Sequence, residues 1–355
     1  MAGDTERALI AHVLSAPHDI GARRVLGDHW LDRGDPRGEL VQLQCNVEEL
    51  APGDPRHVEM SERAAKLLAK HGRAWAGELR SLATRLVWRR GFVEGVTCTA
   101  LQFVTKGAQM LALAPIRALT INGAIRVDDM AKLVATPALA QIRSLEIVQS
   151  KAIGKKHVET LAAAPVIANL ERLALTNCFI GDAGAAALAR SPHLGALREL
   201  ELLASAIEPA GAEALAQSTG LRSLVRLGLA ANMFSARGVH PIITTATAFP
   251  NLRDLDLGLT ALGRQGGEIV AKATARPNLV DLRMPGCQLD DTVARSLAAA
   301  AHYRALEVLD LQHNAIGDAG AAAFLQTKLP RLRALSLSAL SEPTAAALAA
   351  RFEPT

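Results

Sequence analysis

The chain has 355 residues, half of them hydrophobic and only 3% aromatic, so it can bury a large aliphatic core in one to three domains. The net charge of +4 is a mild excess and argues against nucleic acid as the partner, because such binding usually needs clustered Lys and Arg with motif support. No stretch approaches about 18 uninterrupted apolar residues, and the N-terminus lacks a secretory pattern. We therefore expect no membrane span and a cytoplasmic location.

Residues 1–88 are predicted to form an all-α domain of four helices. In "DIGARRVLGDHWLDRG" the apolar residues Val25, Leu26 and Trp30 recur at helical spacing, which predicts that they share the buried face. The segments "TERALIAHVLS", "PRGELVQLQCNVEEL" and "PRHVEMSERAAKLLAKHG" carry the same kind of pattern. We expect this domain to be separate from the rest of the chain, residues 89–355.

The triplet Arg33-Gly34-Asp35 lies between the second and third of these helices. Glycine is suited to the left-handed position that ends a helix. Asp35 is then predicted to cap the next helix, with Pro36 as its first residue. The triplet is thus interpreted as a tight corner. An adhesion motif would require secretion, and a metal loop would require more oxygen ligands.

From residue 116 onward the pattern L-x-x-L-x-L recurs nine times, with successive starts 26 to 28 residues apart. A degenerate earlier copy, "VEGVTC", begins at Val93. Each copy is followed by an Ala-rich or Gly-rich helical segment such as "IGDAGAAALAR". One strand and one helix cannot bury their apolar faces alone, whereas stacked copies can. The period predicts an α/β solenoid, a horseshoe with parallel strands on its concave side and helices on its convex side.

These repeats resemble the leucine-rich repeat family in its longer, helix-bearing variety, similar to ribonuclease inhibitor and the Ran GTPase-activating protein. The resemblance implies that an Asn follows the last Leu by three residues and bonds the turn backbone. Here those positions hold Asn232 and Asn314 but also Ser150, Cys178 and Cys287. Because the four cysteines are far apart and form no CxxC pair, we expect buried structural thiols, with no metal and no cofactor.

Residues 8–98 resemble the repeat-companion domain found before leucine-rich repeats in myxobacterial and planctomycete proteins. The resemblance is carried by "DHWLDRGDPRGE" and "WRRGFVEGV", and it implies a bacterial, intracellular source. An open solenoid end exposes apolar layers and needs a cap, so we expect residues 1–88 to cap the first repeat. The alternative is a second binding surface around Arg85, Arg89 and Arg90.

The variable positions of each L-x-x-L-x-L are expected to point out of the concave sheet. Neighbouring strands lie about 4.8 Å apart, so charges at these positions interact at close range. Three interpretations remain open: an acidic patch that attracts a basic protein surface, a solvated face whose charges neutralise one another, or a catalytic carboxylate pair. The predicted partner-binding residues are Glu146, Glu199, Glu201, Asp254, Asp256, Asp281, Arg283 and Asp310.

The sequence contains no HExxH, G-x-S-x-G or Walker-type motif, and its histidines are scattered. We therefore expect no catalytic residues and a non-catalytic scaffold that binds a protein partner. The alternative is a regulator of a partner enzyme, either an inhibitor or a GTPase-activating protein. Nucleic-acid binding ranks third, because an acidic patch repels phosphates.

Overall fold

The structure is a computed structural model that describes residues 2–51, 54–148 and 153–353. The chain divides into two compact units, one of Met1–Asn122 with Thr136–Ile142 and one of Gly123–Ala135 with Arg143–Thr355. Among the described helices, none combines the length and the apolarity required to cross a membrane.

The first unit begins with helices and continues as strands. Strand β1 pairs antiparallel with β2, and β2 pairs in parallel with β3, so "VEGVTC" forms the first repeat strand as predicted. The turn between β1 and β2 places both of its residues in the left-handed region, as a two-residue hairpin turn of type I′ requires. The elements are α1 Ala2–Ser15, α2 Ile20–Leu31, α3 Arg37–Glu49, α4 Arg56–Trp75, α5 Leu79–Leu82, β1 Arg85–Arg89, β2 Phe92–Cys98, α6 Ala100–Leu113 and β3 Ala118–Ile121.

Helix α2 buries a different face from the predicted one. Leu26 and Trp30 lie in the core, but Val25 is 55% exposed, so its assignment to the buried face is wrong. Arg23 is fully buried in its place. Arg23, Leu26 and Trp30 follow the spacing i, i+3, i+7 of one helical face. The arginine is tolerated there because its guanidinium meets the Glu94 carboxylate at 2.9 Å.

The corner between α2 and α3 forms as predicted. Gly34 is left-handed, with φ of 68°. The Asp35 Oδ1 atom accepts a hydrogen bond from the Arg37 backbone N–H at 2.9 Å, which is a capping contact. Regular helix begins at Arg37, one residue later than the sequence suggested. The Arg-Gly-Asp triplet is therefore a structural corner.

Helices α2 and α3 are fixed to the hairpin of the first unit by polar and close backbone contacts. The Gly91 N–H donates to the Gln44 Oε1 atom at 2.8 Å. A Cβ at Gly91 would lie 2.2 Å from the Val41 Cγ2 atom, so only glycine fits against α3. The buried Arg23–Glu94 pair joins α2 to β2. Because buried charges are stabilised only when they are paired, this contact requires both partners.

The second unit contains eight strands that pair in parallel and in chain order. A helix follows each strand, which confirms the predicted fold class: an α/β leucine-rich-repeat solenoid preceded in the chain by α1–α4. The elements are α7 Val127–Val134, β4 Ser144–Val148, α8 Lys155–Ala162, β5 Arg172–Thr176, α9 Gly181–Ala189, β6 Glu199–Glu201, α10 Pro209–Ala216, β7 Arg226–Gly228, α11 Ala236–Thr244, β8 Asp254–Asp256, α12 Gly263–Lys272, β9 Asp281–Arg283, α13 Asp291–Ala298, β10 Val308–Asp310, α14 Asp318–Ala321, β11 Ala334–Ser336 and α15 Glu342–Ala349.

The repeat pattern accounts for the core of the second unit. In the copy that contains β6, Leu197, Leu200 and Leu202 are all fully buried. Small residues let the helices approach one another. A Cβ at Gly211 of α10 would lie 2.9 Å from the Asp182 Cα atom of α9, so a larger residue would push these helices apart. The Gly-rich and Ala-rich helical segments are therefore a packing requirement.

Asparagine amides connect successive turns. The Asn232 Oδ1 atom accepts from the Ser205 and Ile207 N–H groups, both at 3.0 Å. Its Nδ2 donates to the Leu202 carbonyl at 2.7 Å. Asn314 makes the same kind of contact, accepting from the Cys287 N–H at 2.8 Å. These bonds satisfy turn backbone groups that the strands leave unpaired.

All four thiols are buried and free, as expected of structural cysteines. Cys178 and Cys287 occupy the turn positions, and the Cys287 Sγ atom lies 3.1 Å from the Leu257 carbonyl oxygen. Burial raises the pKa of the Cys287 thiol, which keeps it protonated. Ser150, predicted for the same role, lies outside the described residues.

Candidate protein-binding surface

The residues that point outward from strands β5 to β10 form the strand face. In the three-residue strands β6 to β10 the central Leu is buried and its two neighbours are mostly half-exposed, as in β6 and β8. Two rows of outward residues therefore run across the strands. The first row is Arg172, Glu199, Arg226, Asp254, Asp281 and Val308, and the second is Ala174, Glu201, Gly228, Asp256, Arg283 and Asp310.

Arginines in the first row neutralise some of the carboxylates. The Arg172 guanidinium lies 3.5 Å from the Glu199 carboxylate and 3.9 Å from that of Glu146 on β4. The Arg226 guanidinium lies 3.4 Å from the Asp254 carboxylate. These pairs are partly exposed, and each contributes little to stability. In the first row, therefore, the arrangement agrees with the interpretation of a solvated face whose charges neutralise one another.

The second row is less well neutralised. The Glu201 carboxylate makes no ion pair within 4 Å among the described residues, and it lies over Gly228: a Cβ there would be 1.7 Å from its Oε2 atom. Burial raises the pKa of the Glu201 carboxyl, Arg226 opposes that shift and Asp256 adds to it. A raised pKa means that the charged form of Glu201 is less favourable in the folded protein than in water, unless a cation lies nearby.

Asp254 and Asp256 share this environment. Burial raises the pKa of both carboxyl groups, and the nearby Asp281 charge raises it further. Different groups act against this rise. The Arg226 charge lowers the pKa of Asp254, whereas a hydrogen bond from the Gly258 N–H lowers the pKa of Asp256. That N–H reaches the Asp256 Oδ1 atom at 2.9 Å.

A small pocket of about 40 Å³ gathers five of the eight predicted site residues. Its charged lining has four carboxylates, from Glu201, Asp254, Asp256 and Asp281, against two guanidiniums, from Arg226 and Arg283. The Arg283 side chain is held by Asp281 at 2.7 Å, and that hydrogen bond raises the pKa of Arg283. The carboxylates therefore outnumber the cations around the pocket by two.

The remaining three predicted residues lie at the margins. Glu146 and Glu199 share Arg172, and Asp310 is opposite Arg283 in the strand register. The Asp310 Oδ1 atom accepts from the Gln312 N–H at 3.0 Å, so one of its oxygens serves its own turn. Within the described part of the chain, no three His, Cys, Asp or Glu side chains are placed to hold a metal ion.

Sequence reasoning missed the apolar border of the strand face. The backbone pairing continues beyond the assigned strands, since the Ala204 N–H donates to the Ala230 carbonyl at 3.0 Å. Leu203 and Ala230 therefore continue the outward side of β6 and β7. Met233 and Leu259, in the adjacent turns, are 64% and 65% exposed. The period-two alternation, extended past the last Leu, could have identified Leu203 and Ala230.

The alternative binding surface predicted around Arg85, Arg89 and Arg90 lies in the first unit, and one of its arginines forms an ion pair within that unit. The Arg90 guanidinium donates to the Glu94 carboxylate, with its Nε atom at 3.0 Å. Arg85 and Arg89 are exposed on β1. Of the three predicted arginines, Arg90 thus has a structural partner.

Comparison with family profiles finds the Leucine Rich repeat at residues 167–189 and 304–325. A search of curated proteins finds no significant match. Among solved structures, an internalin (inlF) from Listeria monocytogenes is 17% identical, with 73% of this chain and 70% of that chain covered and a TM-score of 0.44.

Two further structures match with similar scores. A plant ice-binding protein is 15% identical, with 62% of each chain covered and a TM-score of 0.36. A TLR13–ssRNA13 complex is 15% identical, with 72% of this chain and 34% of that chain covered and a TM-score of 0.42. Similarity at this level carries no information about partners.

Proposed function

We propose that this leucine-rich repeat protein is a non-catalytic scaffold that binds a partner protein through its strand face, and that the bound surface of the partner is basic. The observation that supports the proposal is the Glu201 carboxylate, which burial and like charges disfavour and which has no ion pair of its own among the described residues. A cationic partner group would restore a favourable environment. A polyanion such as nucleic acid would be repelled.

We further propose that residues 1–88 form a cap of the repeat-companion type and that residues 89–355 form the repeat domain of a cytoplasmic bacterial protein. Three contacts within the first unit support the capping role: the Arg23–Glu94 pair, the hydrogen bond from Gly91 to Gln44, and the close approach of Gly91 to Val41. They hold helices against the strand that begins the repeats.

The test is affinity capture from a lysate of the source cells with the immobilised full chain. A triple variant, Glu201→Lys, Asp256→Lys and Asp310→Lys, should lose the captured partner while keeping its circular dichroism spectrum. A matched control changes three helix carboxylates instead, with the same change in net charge: Glu159→Lys, Glu213→Lys and Glu342→Lys. Capture of the partner by the strand-face variant would refute the proposed surface. Loss of capture by both variants would show that only the net charge of the protein matters.

A further inference from the structure

Strand β1 has a free hydrogen-bonding edge. Strand β2 lies between β1 and β3, and among the described residues β1 pairs with no other strand. Every second residue of an edge strand points its N–H and C=O groups away from its neighbour. The Trp88 carbonyl points this way, since it accepts from the Gln44 Nε2 atom at 3.4 Å. An edge of this kind is a template for pairing with another chain.

The side chains of β1 differ between its two faces. Arg85, Val87 and Arg89 are exposed on one face, and Val87 is 38% exposed. Leu86 and Trp88 are half-buried on the other face. The two arginines lie about 13 Å apart along the strand, and neither forms an ion pair within the part of the chain that the structure describes. The exposed face of the edge therefore carries two cations without an ion-pair partner in the described chain.

An open groove borders the edge on the side of Trp88. Helix α3 contributes Val47 to its lining, and helix α4 contributes Ala65 and Leu68. Ala65 is exposed, whereas Val47, Leu68 and Trp88 are half-buried. The volume of the groove, about 280 Å³, lies just below the roughly 300 Å³ at which pockets for small molecules begin. It therefore suits an apolar side chain better than a cofactor.

The charges on β1 determine which strand can pair with its edge. A second copy of this chain, paired antiparallel about Val87, would bring Arg85 of one copy opposite Arg89 of the other, and like charges directly opposite are destabilising. A basic segment would be repelled in the same way. An acidic segment would place carboxylates beside both guanidiniums. Glu48, on the rim of the groove, lies 3.8 Å from the Arg90 guanidinium, so its charge does not cancel this preference.

We propose that the first unit binds an extended acidic segment of a partner protein, which adds to β1 as a further strand. Carboxylates at positions i and i+4 of the segment lie beside Arg85 and Arg89. An apolar side chain at position i+1 or i+3, depending on the direction of the segment, lies next to Trp88 and enters the groove. Main-chain hydrogen bonds hold the segment, and the alternating side chains select it. This site is separate from the strand face and attracts the opposite charge, so it goes beyond the proposed function.

The probe is a displayed library of random dodecapeptides, selected on the immobilised full chain and counter-selected on a variant with Arg85→Glu and Arg89→Glu. Counter-selection removes peptides that bind elsewhere. The remaining peptides should carry Asp or Glu at two positions four apart, with an apolar residue directly inside one of them. The most enriched peptide is synthesised with a fluorescent label and titrated by anisotropy. A library without such peptides, or enriched peptides that lack the alternation, would overturn the proposal.

Paired substitutions of charge locate the site. Arg85→Gln with Arg89→Gln removes two cross-strand charge pairs and should weaken the peptide about tenfold, equal to about 1.4 kcal/mol in binding free energy. Lys70→Gln with Lys106→Gln changes the net charge equally at exposed helical positions, and should leave binding unchanged. Equal binding by the natural chain and the arginine variant would contradict the proposed selection by charge.

A substitution in the groove tests the apolar contact. Ala65→Gln places a longer polar side chain in the groove and should weaken the peptide, but not a variant peptide with Ser in place of its apolar residue. Ala74→Gln is the matched control, because Ala74 is exposed on the opposite side of α4. If both alanine variants bind the peptide equally, the apolar residue does not enter the groove and the proposal fails.

Methylation of the peptide backbone tests strand pairing directly. An added strand turns alternate N–H groups toward β1, so N-methylation of one alternate set should abolish binding, and N-methylation of the other set should be tolerated. Equal effects of the two sets would overturn strand addition. A dimer of the natural chain that the peptide disperses in sedimentation would assign the edge to a second copy instead.

The strand-face variant, with Lys at Glu201, Asp256 and Asp310, separates this proposal from the proposed function. It should bind the acidic peptide as the natural chain does, and loss of the peptide would move the peptide to the strand face and overturn the proposal. If that variant still captures the lysate partner while the arginine variant loses the peptide, the proposed function fails and the β1 site stands.

Discussion

Replacing Asn232 with Ala tests how strongly the buried amides hold successive repeats together. Asn232 is only 4% exposed. Its Oδ1 atom is the acceptor for the Ser205 and Ile207 N–H groups, both at 3.0 Å. Its Nδ2 atom donates to the carbonyls of Leu202 and Leu229 at 2.7 and 2.9 Å. An alanine removes all of these bonds, and the surrounding backbone cannot rotate away because it belongs to the strand ends.

The magnitude follows from the two orphaned N–H groups. A buried donor without a partner costs about 1 to 3 kcal/mol, so the two together predict a loss of about 2 to 6 kcal/mol in the free energy of unfolding. Domains are typically stable by only about 5 to 15 kcal/mol, so the loss is large. Asn314→Ala is the matched comparison. Its amide makes equivalent bonds but is only part-buried, so water can replace them and the loss should be smaller.

Urea denaturation followed by circular dichroism measures the loss, and hydrogen exchange locates it. In Asn232→Ala the amides of Ser205 and Ile207 should exchange much faster, whereas the amides of Cys287 and Leu289 should respond only to Asn314→Ala. Equal stability losses for the two variants, or unchanged protection at Ser205 and Ile207, would refute the reasoning.

Three further predictions concern other parts of the chain. Asp35→Ala should lower stability by about 1 kcal/mol in thermal unfolding, because it removes a helix cap, and it should leave partner capture intact; lost capture at normal stability would make the corner a functional site. Glu201→Gln should stabilise the protein at pH 7. The raised pKa of Glu201 means that its contribution to stability is present below its ordinary 4.5 and is lost as pH rises through the folded value, so an advantage of the variant that persisted at pH 3 would contradict this cause. Cys98, whose pKa burial raises to about 11, should resist iodoacetamide at pH 8 until urea is added, and labelling of the native protein would show that the thiol is accessible.

Periodicity predicted the repeats because each copy solves the same packing problem. Leu200 and its equivalents are buried wherever the pattern occurs. Side chains along each strand alternate between the two faces of the sheet, and each repeat packs against neighbours with the same apolar pattern. Cys287 could be assigned to a turn for the same reason: it follows the last apolar residue of its copy, Met284, by three residues, as Asn314 follows Leu311. Local sequence is sufficient when the partners of a residue recur at a fixed distance along the chain.

Prediction failed where the partner is remote and specific to one site. Val25 was predicted to lie in the core, yet Arg23 is buried in its place because Glu94, 71 positions away, neutralises it. The candidate surface shows the same limit. The outward carboxylates could be identified from the repeat register. The position of the Glu201 side chain over Gly228 depends on the absence of a side chain on the next strand.

The stabilising and the candidate binding residues differ in how their polar groups are satisfied. Asn232 lies inside the turn with its amide fully bonded. Glu201 and Asp256 lie outside it, and burial raises the pKa of both carboxyl groups. A surface that binds no partner would be more stable with neutral side chains in place of these two carboxylates, because neutral side chains avoid the desolvation penalty. A partner that supplies a cation recovers this penalty on binding, so the conflict within the second row of the strand face favours recognition over a purely solvated face.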